Sequence, residues 1–260
     1  MYFTAGGASQ NHGYLGSLQA APVVAANAIG NAADVQSGGI AQNTFISIFG
    51  ANLSPVTRSW ATTDFSGTKL PVSLSGVSVS VNGKAAYVYY VSPKQIDVLT
   101  PADTTTGPVN VVVTSNGLTS ASASTTMAAY SPALFLLKDN KSVAATHAGG
   151  GIVGAATLYA GLSTPAKAGE TISLFGTGFG PTNPAFTDGA IVAAPLTCTT
   201  LPTVTIGGAA AQVVYAGLVA SGVYQFNVTV PATVTAGDQP IAIGIGSATS
   251  AAGTILTVSQ

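Results

Sequence analysis

The chain repeats itself once, at long range. Phe45-Ile46-Ser47-Ile48-Phe49-Gly50-Ala51-Asn52-Leu53-Ser54-Pro55 returns as Thr171-Ile172-Ser173-Leu174-Phe175-Gly176-Thr177-Gly178-Phe179-Gly180-Pro181. Two later blocks return in the same order and at nearly the same offset. Val79 to Ala86 matches Val204 to Ala211, and Gln95 to Pro101 matches Gln225 to Pro231. The spacing far exceeds the roughly 20–50 residues of a solenoid repeat, so each copy reads as a whole domain. The expected division is 22–131 and 132–260. Residues 1–21 stand apart, with no counterpart in the second copy.

Short strands dominate both copies. Val77, Val79 and Val81 alternate with Ser78 and Ser80, the period of a half-buried strand. Asn82-Gly83 follows, a hairpin signal because both turn positions need positive φ. The predicted return strand is Ala85 to Val91, with Tyr87, Tyr89 and Tyr90. In the second copy Val204-Thr205-Ile206 turns at Gly207-Gly208 into Ala209 to Tyr215. Val109, Val111 and Val113 are matched by Ile241, Ile243 and Ile245. Tyr224, Phe226, Val228 and Val230 form one face of a strand that Pro231 ends. Ala-rich residues 24–33 give only a weak helix signal, broken by Asn27, Gly30 and Asn31. With 31 Gly and 14 Pro between the strands, the pattern is that of an antiparallel β-sandwich. The inner faces should carry Ile46, Ile48, Val79, Val81, Ile96 and Val98 in copy one. In copy two they should carry Ile172, Leu174, Val204, Ile206, Phe226 and Val228. The copies join near Tyr130-Ser131-Pro132, a linker short enough to hold them nearly rigid.

Composition removes several functions. Charged residues are 6% and net charge is −1, so no clustered Lys and Arg await nucleic acid. No apolar run reaches the ~20 residues of a membrane span. Hydrophobic residues are 47%, enough for packed cores. So little charge solubilises a free monomer poorly. The start lacks a signal-peptide pattern.

These residues resemble the opening of a family. Asn27-Ala28, Gly39-Ile40-Ala41 and Ile46 to Leu53 carry the likeness. It continues in Val81-Asn82-Gly83-Lys84, Ser92-Pro93-Lys94-Gln95-Ile96-Asp97, Ser131-Pro132-Ala133-Leu134-Phe135, Gly176 to Asn183 and Gly237-Asp238-Gln239-Pro240. The pattern is similar to that of secreted bacterial proteins with paired Ig-like domains of the IPT/TIG type. The resemblance implies an Ig-like fold and export, with the signal sequence absent from this chain. It implies no activity. The expected fold is therefore all-β: two tandem Ig-like antiparallel β-sandwich domains with an extended N-terminal segment.

Catalytic constellations are missing from the sequence pattern. The acidic residues are scattered, and Asp103, Asp188 and Asp238 sit beside Thr or Gly, reading as solvated turn aspartates. Neither His12 nor His147 has the context of a serine triad. The glycines at 176–180 lead into Pro181 instead of a helix N-terminus, so no phosphate loop forms. Calcium would want closely spaced acids, and none occur. Cys198, the one cysteine, reads as a small buried residue. No cofactor and no metal are expected, and no enzyme. Tyr87 and Tyr89 share a strand face and could stack on sugar rings; the competing reading is one face in the core and the other capping a sheet edge.

Two functions remain. The first is an extracellular or cell-surface structural subunit of a filament, fibre or surface assembly, built head-to-tail from copies of itself. Residues 1–20 would add a strand to a neighbour's sheet edge, a heterologous contact that propagates. Tyr2, Phe3, Tyr14, Leu15 and Leu18 are the expected anchors. The second is a cell-surface adhesin or carbohydrate-binding module with a glycan or surface ligand.

Overall fold

The structure, a computed structural model, describes residues 2–5, 14–17, 19–34 and 39–260. Among them there is no α-helix, and one 3-10 turn spans Thr62–Asp64. Near the start, β1 (Tyr2–Ala5) pairs antiparallel with β2 (Tyr14–Ser17). The segment therefore carries two strands paired with each other. Four expected anchors, Tyr2, Phe3, Tyr14 and Leu15, lie in these strands, while Leu18 lies outside the described residues.

The first half contains β3 (Val23–Asn31), β4 (Phe45–Ala51), β5 (Arg58–Ser59), β6 (Val77–Val81), β7 (Lys84–Ala85), β8 (Tyr87–Val91), β9 (Gln95–Leu99), β10 (Gly107–Ser115) and β11 (Ala123–Met127). One layer runs β3-β4-β9-β8-β5. In the other, β10 lies between β6 and β11. Ile46, Ile48, Ile96 and Val98 from the first layer meet Val79, Val81, Val111 and Val113 from the second, all buried. Burying each such side chain is worth about 1.5–3 kcal/mol.

Two stretches refine the sequence pattern. The Ala-rich stretch, with only its weak helix signal, forms β3. Asn27 takes φ +55, and the pairing of β3 with β4 breaks between Val24 and Ile29. The expected strand from Ala85 to Val91 is two strands. Ala85 pairs with Ser80 in one layer, and Tyr87 with Leu99 in the other. The chain changes layers at Ala86, which is fully buried and whose small side chain fits between the sheets. The turn before it, at Asn82 and Gly83, has φ +50 and +76, the sign a two-residue hairpin demands.

The second half contains β12 (Ala133–Leu134), β13 (Ala145–His147), β14 (Ile152–Val153), β15 (Ser163–Thr164), β16 (Ala166–Lys167), β17 (Thr171–Thr177), β18 (Thr203–Ile206), β19 (Ala209–Ala220), β20 (Val223–Thr229), β21 (Gly237–Ile245) and β22 (Ile255–Ser259). The ladders repeat those of the first half. β17 pairs with β20 as β4 does with β9, and β18 with β21 as β6 does with β10. Ile172, Leu174, Val204, Ile206, Phe226 and Val228 are all buried in its core. Here the layer change is made without a break. Ala209–Ala211 of β19 pair with β18, and Gln212 onward with β20. Gly50 and Gly176 are equivalent, and for the same reason. A Cβ on either would overlap the carbonyl of the strand alongside, at Val23 and Ala133 respectively.

The halves meet in a bonded seam. Asn31 Nδ2 donates to the Ser131 carbonyl (2.6 Å) and the Phe45 amide to Thr177 Oγ1 (3.1 Å). The Leu70 amide donates to the Gly189 carbonyl (2.8 Å) and the Ala102 amide to Asp188 Oδ1 (3.0 Å). Gly178, at φ +88, runs so close that a Cβ would overlap the Ser131 carbonyl.

Candidate functional site

Beside this seam lies a cleft of about 500 Å³. Its floor is the outward face of the β4-β9-β8 sheet, bearing Phe45, Asp97 and Tyr89. One wall is the segment holding Trp60 and Phe65. The opposite wall is Phe135, Ile191 and Val223 from the second half. Trp60 packs edge-on to Tyr89 (centroids 4.9 Å apart, planes at 80°), and Tyr89 to Phe45 (5.6 Å). Such contacts suit the aromatic quadrupole. Trp60 is placed by its own short segment. Arg58 Nη1 and Nη2 grip both oxygens of Asp64 (2.9 and 2.7 Å), and Asp64 also accepts the Ala61 amide. The guanidinium bonds, then the Ala61 amide, lower the Asp64 carboxyl to about 2.

The tyrosine strand has one face in the core, as one of its two readings had it, but its other face caps no sheet edge. Val88 and Val91 enter the core, Tyr89 is 37% exposed in the cleft, and Tyr87 lies against Gly189 of the second half. Burial, then the charge and hydrogen bond of Asp188, push the Tyr87 hydroxyl up to about 12.

Among the described residues Asp97 is the one acidic group lining the cleft; the sequence carries it in the repeated Gln95 to Pro101 block, where its chemistry drew no notice. Ser47 Oγ (2.6 Å) and Gln95 Nε2 (2.8 Å) both donate to its Oδ1. Burial raises its pKa against those two bonds. The second half repeats the arrangement with a neutral residue. Ser173 Oγ (3.0 Å) and Gln225 Nε2 (2.8 Å) donate to Asn227 Oδ1.

A second surface lies at the β3 edge. Among the described residues β3 is the outer strand of its layer. Beside it runs a groove of about 820 Å³ between Pro22–Ile29 and Ala121–Thr126, lined mostly by Ala, Ser and Thr. Val23 is 55% exposed. In the second half β13 takes the place of Ile29–Asn31: Ala145 pairs with Leu174 as Ile29 pairs with Ile48. There the sheet goes on through β14 and β15.

Two expectations about chemistry need amending. Asp103 is not a solvated turn residue: it is buried and takes bonds from Thr105, Asn82 and Lys84. His147, without the context of a serine triad in the sequence, lies 2.6 Å from Glu170 Oε1 through Nδ1 and 2.9 Å from Thr164 Oγ1 through Nε2. The atom order is that of a nucleophile, base and acid. Yet Nε2 also faces the Thr164 carbonyl at 3.2 Å. Nε2 donates to that carbonyl in one tautomer and accepts from the Thr164 hydroxyl in the other. The trio ties β13 and β15 to the turn before β17. Cys198 is part-buried, and burial pushes its thiol up to about 11, away from the reactive thiolate. Among the described residues no group of three His, Cys, Asp or Glu side chains clusters to hold a metal. No helix among them is long and apolar enough to cross a membrane.

Residues 34–130 match the IPT/TIG domain. The IPT/TIG segment takes in β4 to β11, with Trp60, Tyr89 and Asp97, and its fold is Ig-like. Comparison with curated proteins finds no match. Among solved structures the chain is similar to the SGBP-B protein of a Bacteroides ovatus mixed-linkage glucan utilization locus. Identity is 12% over 96% of this chain and 50% of that one, with a TM-score of 0.38. It is similar to the Escherichia coli adhesin FdeC (14% identity, 89% of this chain, 63% of that one, TM-score 0.29). It is similar also to domains 5-6 of the S-layer protein SbsC (10% identity, 91% and 98%, TM-score 0.25). The chain spans 18% of the plexin A4 extracellular region that it also matches.

Proposed function

We propose that the protein is a non-catalytic extracellular structural subunit that assembles with copies of itself, head to tail, into a filament, fibre or surface array. The observation that carries this reading is the β3 edge. The second half covers the corresponding strand with β14 and β15, while β3 borders an open groove of small side chains. An exposed edge is a template for an added strand. Residues 1–21, which precede β3 and have no counterpart in the second half, are the donor. Tyr2, Phe3, Tyr14, Leu15 and Leu18 anchor the contact. Sparse charge favours burial of such a surface.

Electron microscopy of the intact protein and of a variant lacking residues 1–20 tests this. Filaments or arrays are expected only from the intact protein, with the truncated one still folded by circular dichroism. An intact protein that stays monomeric, or a truncated one that still polymerises, overturns the proposal. The adhesin or carbohydrate-binding reading would then take its place. What favours that second reading is the half-exposed Tyr89 beside Trp60 in the cleft.

A further inference from the structure

The internal duplication supplies a control for the cleft. At one position of the outward sheet face, each half needs an acceptor for a serine hydroxyl and a glutamine amide. Asn227 does this with a neutral side chain, so the network itself requires no charge. Asp97 does the same with a carboxyl group. Both donors go to Oδ1, and among the described residues Oδ2 makes no hydrogen bond. Among the described residues, no side chain lining the cleft is basic. An ionised carboxyl held in apolar surroundings is costly unless paired. The first half thus places an ionisable carboxyl, where the second half has an amide, at the floor of a cleft walled by aromatic rings.

We propose that this cleft binds a small primary ammonium compound with an aromatic or aliphatic body. The ammonium would pair with Asp97 Oδ2, and the body would lie among Phe45, Trp60, Tyr89 and Phe135. Three features agree. Aromatic rings attract cations, most strongly Trp. A carboxylate gains most from an opposite charge where water is scarce. The volume, about 500 Å³, lies within the roughly 300–1,000 Å³ of small-molecule sites. A neutral sugar fits less well. The lining offers its hydroxyls the Tyr89 phenol, the Trp60 indole N–H and the Ser221 hydroxyl, the last already given to the Ala190 carbonyl (2.9 Å), but a neutral sugar leaves the Asp97 carboxylate without a counter-charge.

Trp60 is the only tryptophan, so its fluorescence reports this cleft alone. The intact protein is titrated with phenethylammonium chloride and, separately, with its neutral counterpart 2-phenylethanol. Saturable quenching is expected for both, with the ammonium compound bound roughly ten-fold more tightly. Asp97→Asn, which copies Asn227, should erase that preference and leave both the thermal midpoint and alcohol binding nearly unchanged. Equal affinity for the two ligands, no saturable binding, or a preference that survives in Asp97→Asn overturns the proposal. If Asp97→Asn does not fold, the comparison on the unaltered protein decides alone. Neither result bears on assembly through β3, which is read by microscopy.

Discussion

Asp103 shows how few charges can be placed to effect. Its carboxyl takes the Thr105 hydroxyl (2.7 Å) and amide (3.0 Å) and Asn82 Nδ2 (2.9 Å), with Lys84 Nζ at 3.5 Å. It therefore pins the Asn82-Gly83 turn to the loop after β9. The Thr105 and Asn82 side-chain bonds lower its pKa to about 2. A depressed folded-state value stabilises above the unfolded value, near 4, and that stabilisation drains away as pH falls towards 2. Urea midpoints measured across that window should fall more steeply for the native protein than for Asp103→Ala. Parallel curves would mean the carboxyl contributes nothing to the fold. Asp64, which is also depressed, is common to both proteins and cancels.

Among the elements, the paired glycines give the sharpest test. Gly50 in β4 faces the Val23 carbonyl so closely that no side chain fits. Gly50→Ala should push β3 from β4 and cost about 1–3 kcal/mol, the usual range for overpacking, measured by denaturant unfolding. A neutral result would mean that β3 yields freely. Phe49-Gly50 and Phe175-Gly176 were visible in the sequence because the same backbone approach recurs. The alternation of Val77 to Val81 and of Tyr224 to Val230 was visible because each strand has one buried face. The layer change at Ala86 was not, since nothing in Ala85-Ala86-Tyr87 distinguishes a crossing from a continuous strand. β3 was obscured by alanine, whose helix preference is a weak term against tertiary pairing. The cleft was only partly legible. Tyr87 and Tyr89 drew notice as a run, but Trp60, Asp97, Phe135 and Val223 lie far apart in the chain and share no motif. The His147–Glu170 contact was hidden in the same way.

At the scale of the molecule, the seam couples the halves. The buried Phe45 amide depends on Thr177 Oγ1 across it. Thr177→Val keeps the shape and removes the acceptor, leaving a buried donor unpaired at a cost of about 1–3 kcal/mol. Trp60 lies in the other half, so its unfolding transition should move to lower denaturant in the variant. An unmoved transition would show that the halves unfold independently. The seam also bears on how such a chain can have changed over generations. Thr177 and Gly178 correspond to Ala51 and Asn52 in the first copy. Ala51 has no hydroxyl to offer, and Asn52 in place of Gly178 would drive its Cβ into the Ser131 carbonyl. The two copies have ceased to be interchangeable. A recombination event that set the first copy in the position of the second would yield a sound sandwich and a joint that cannot close.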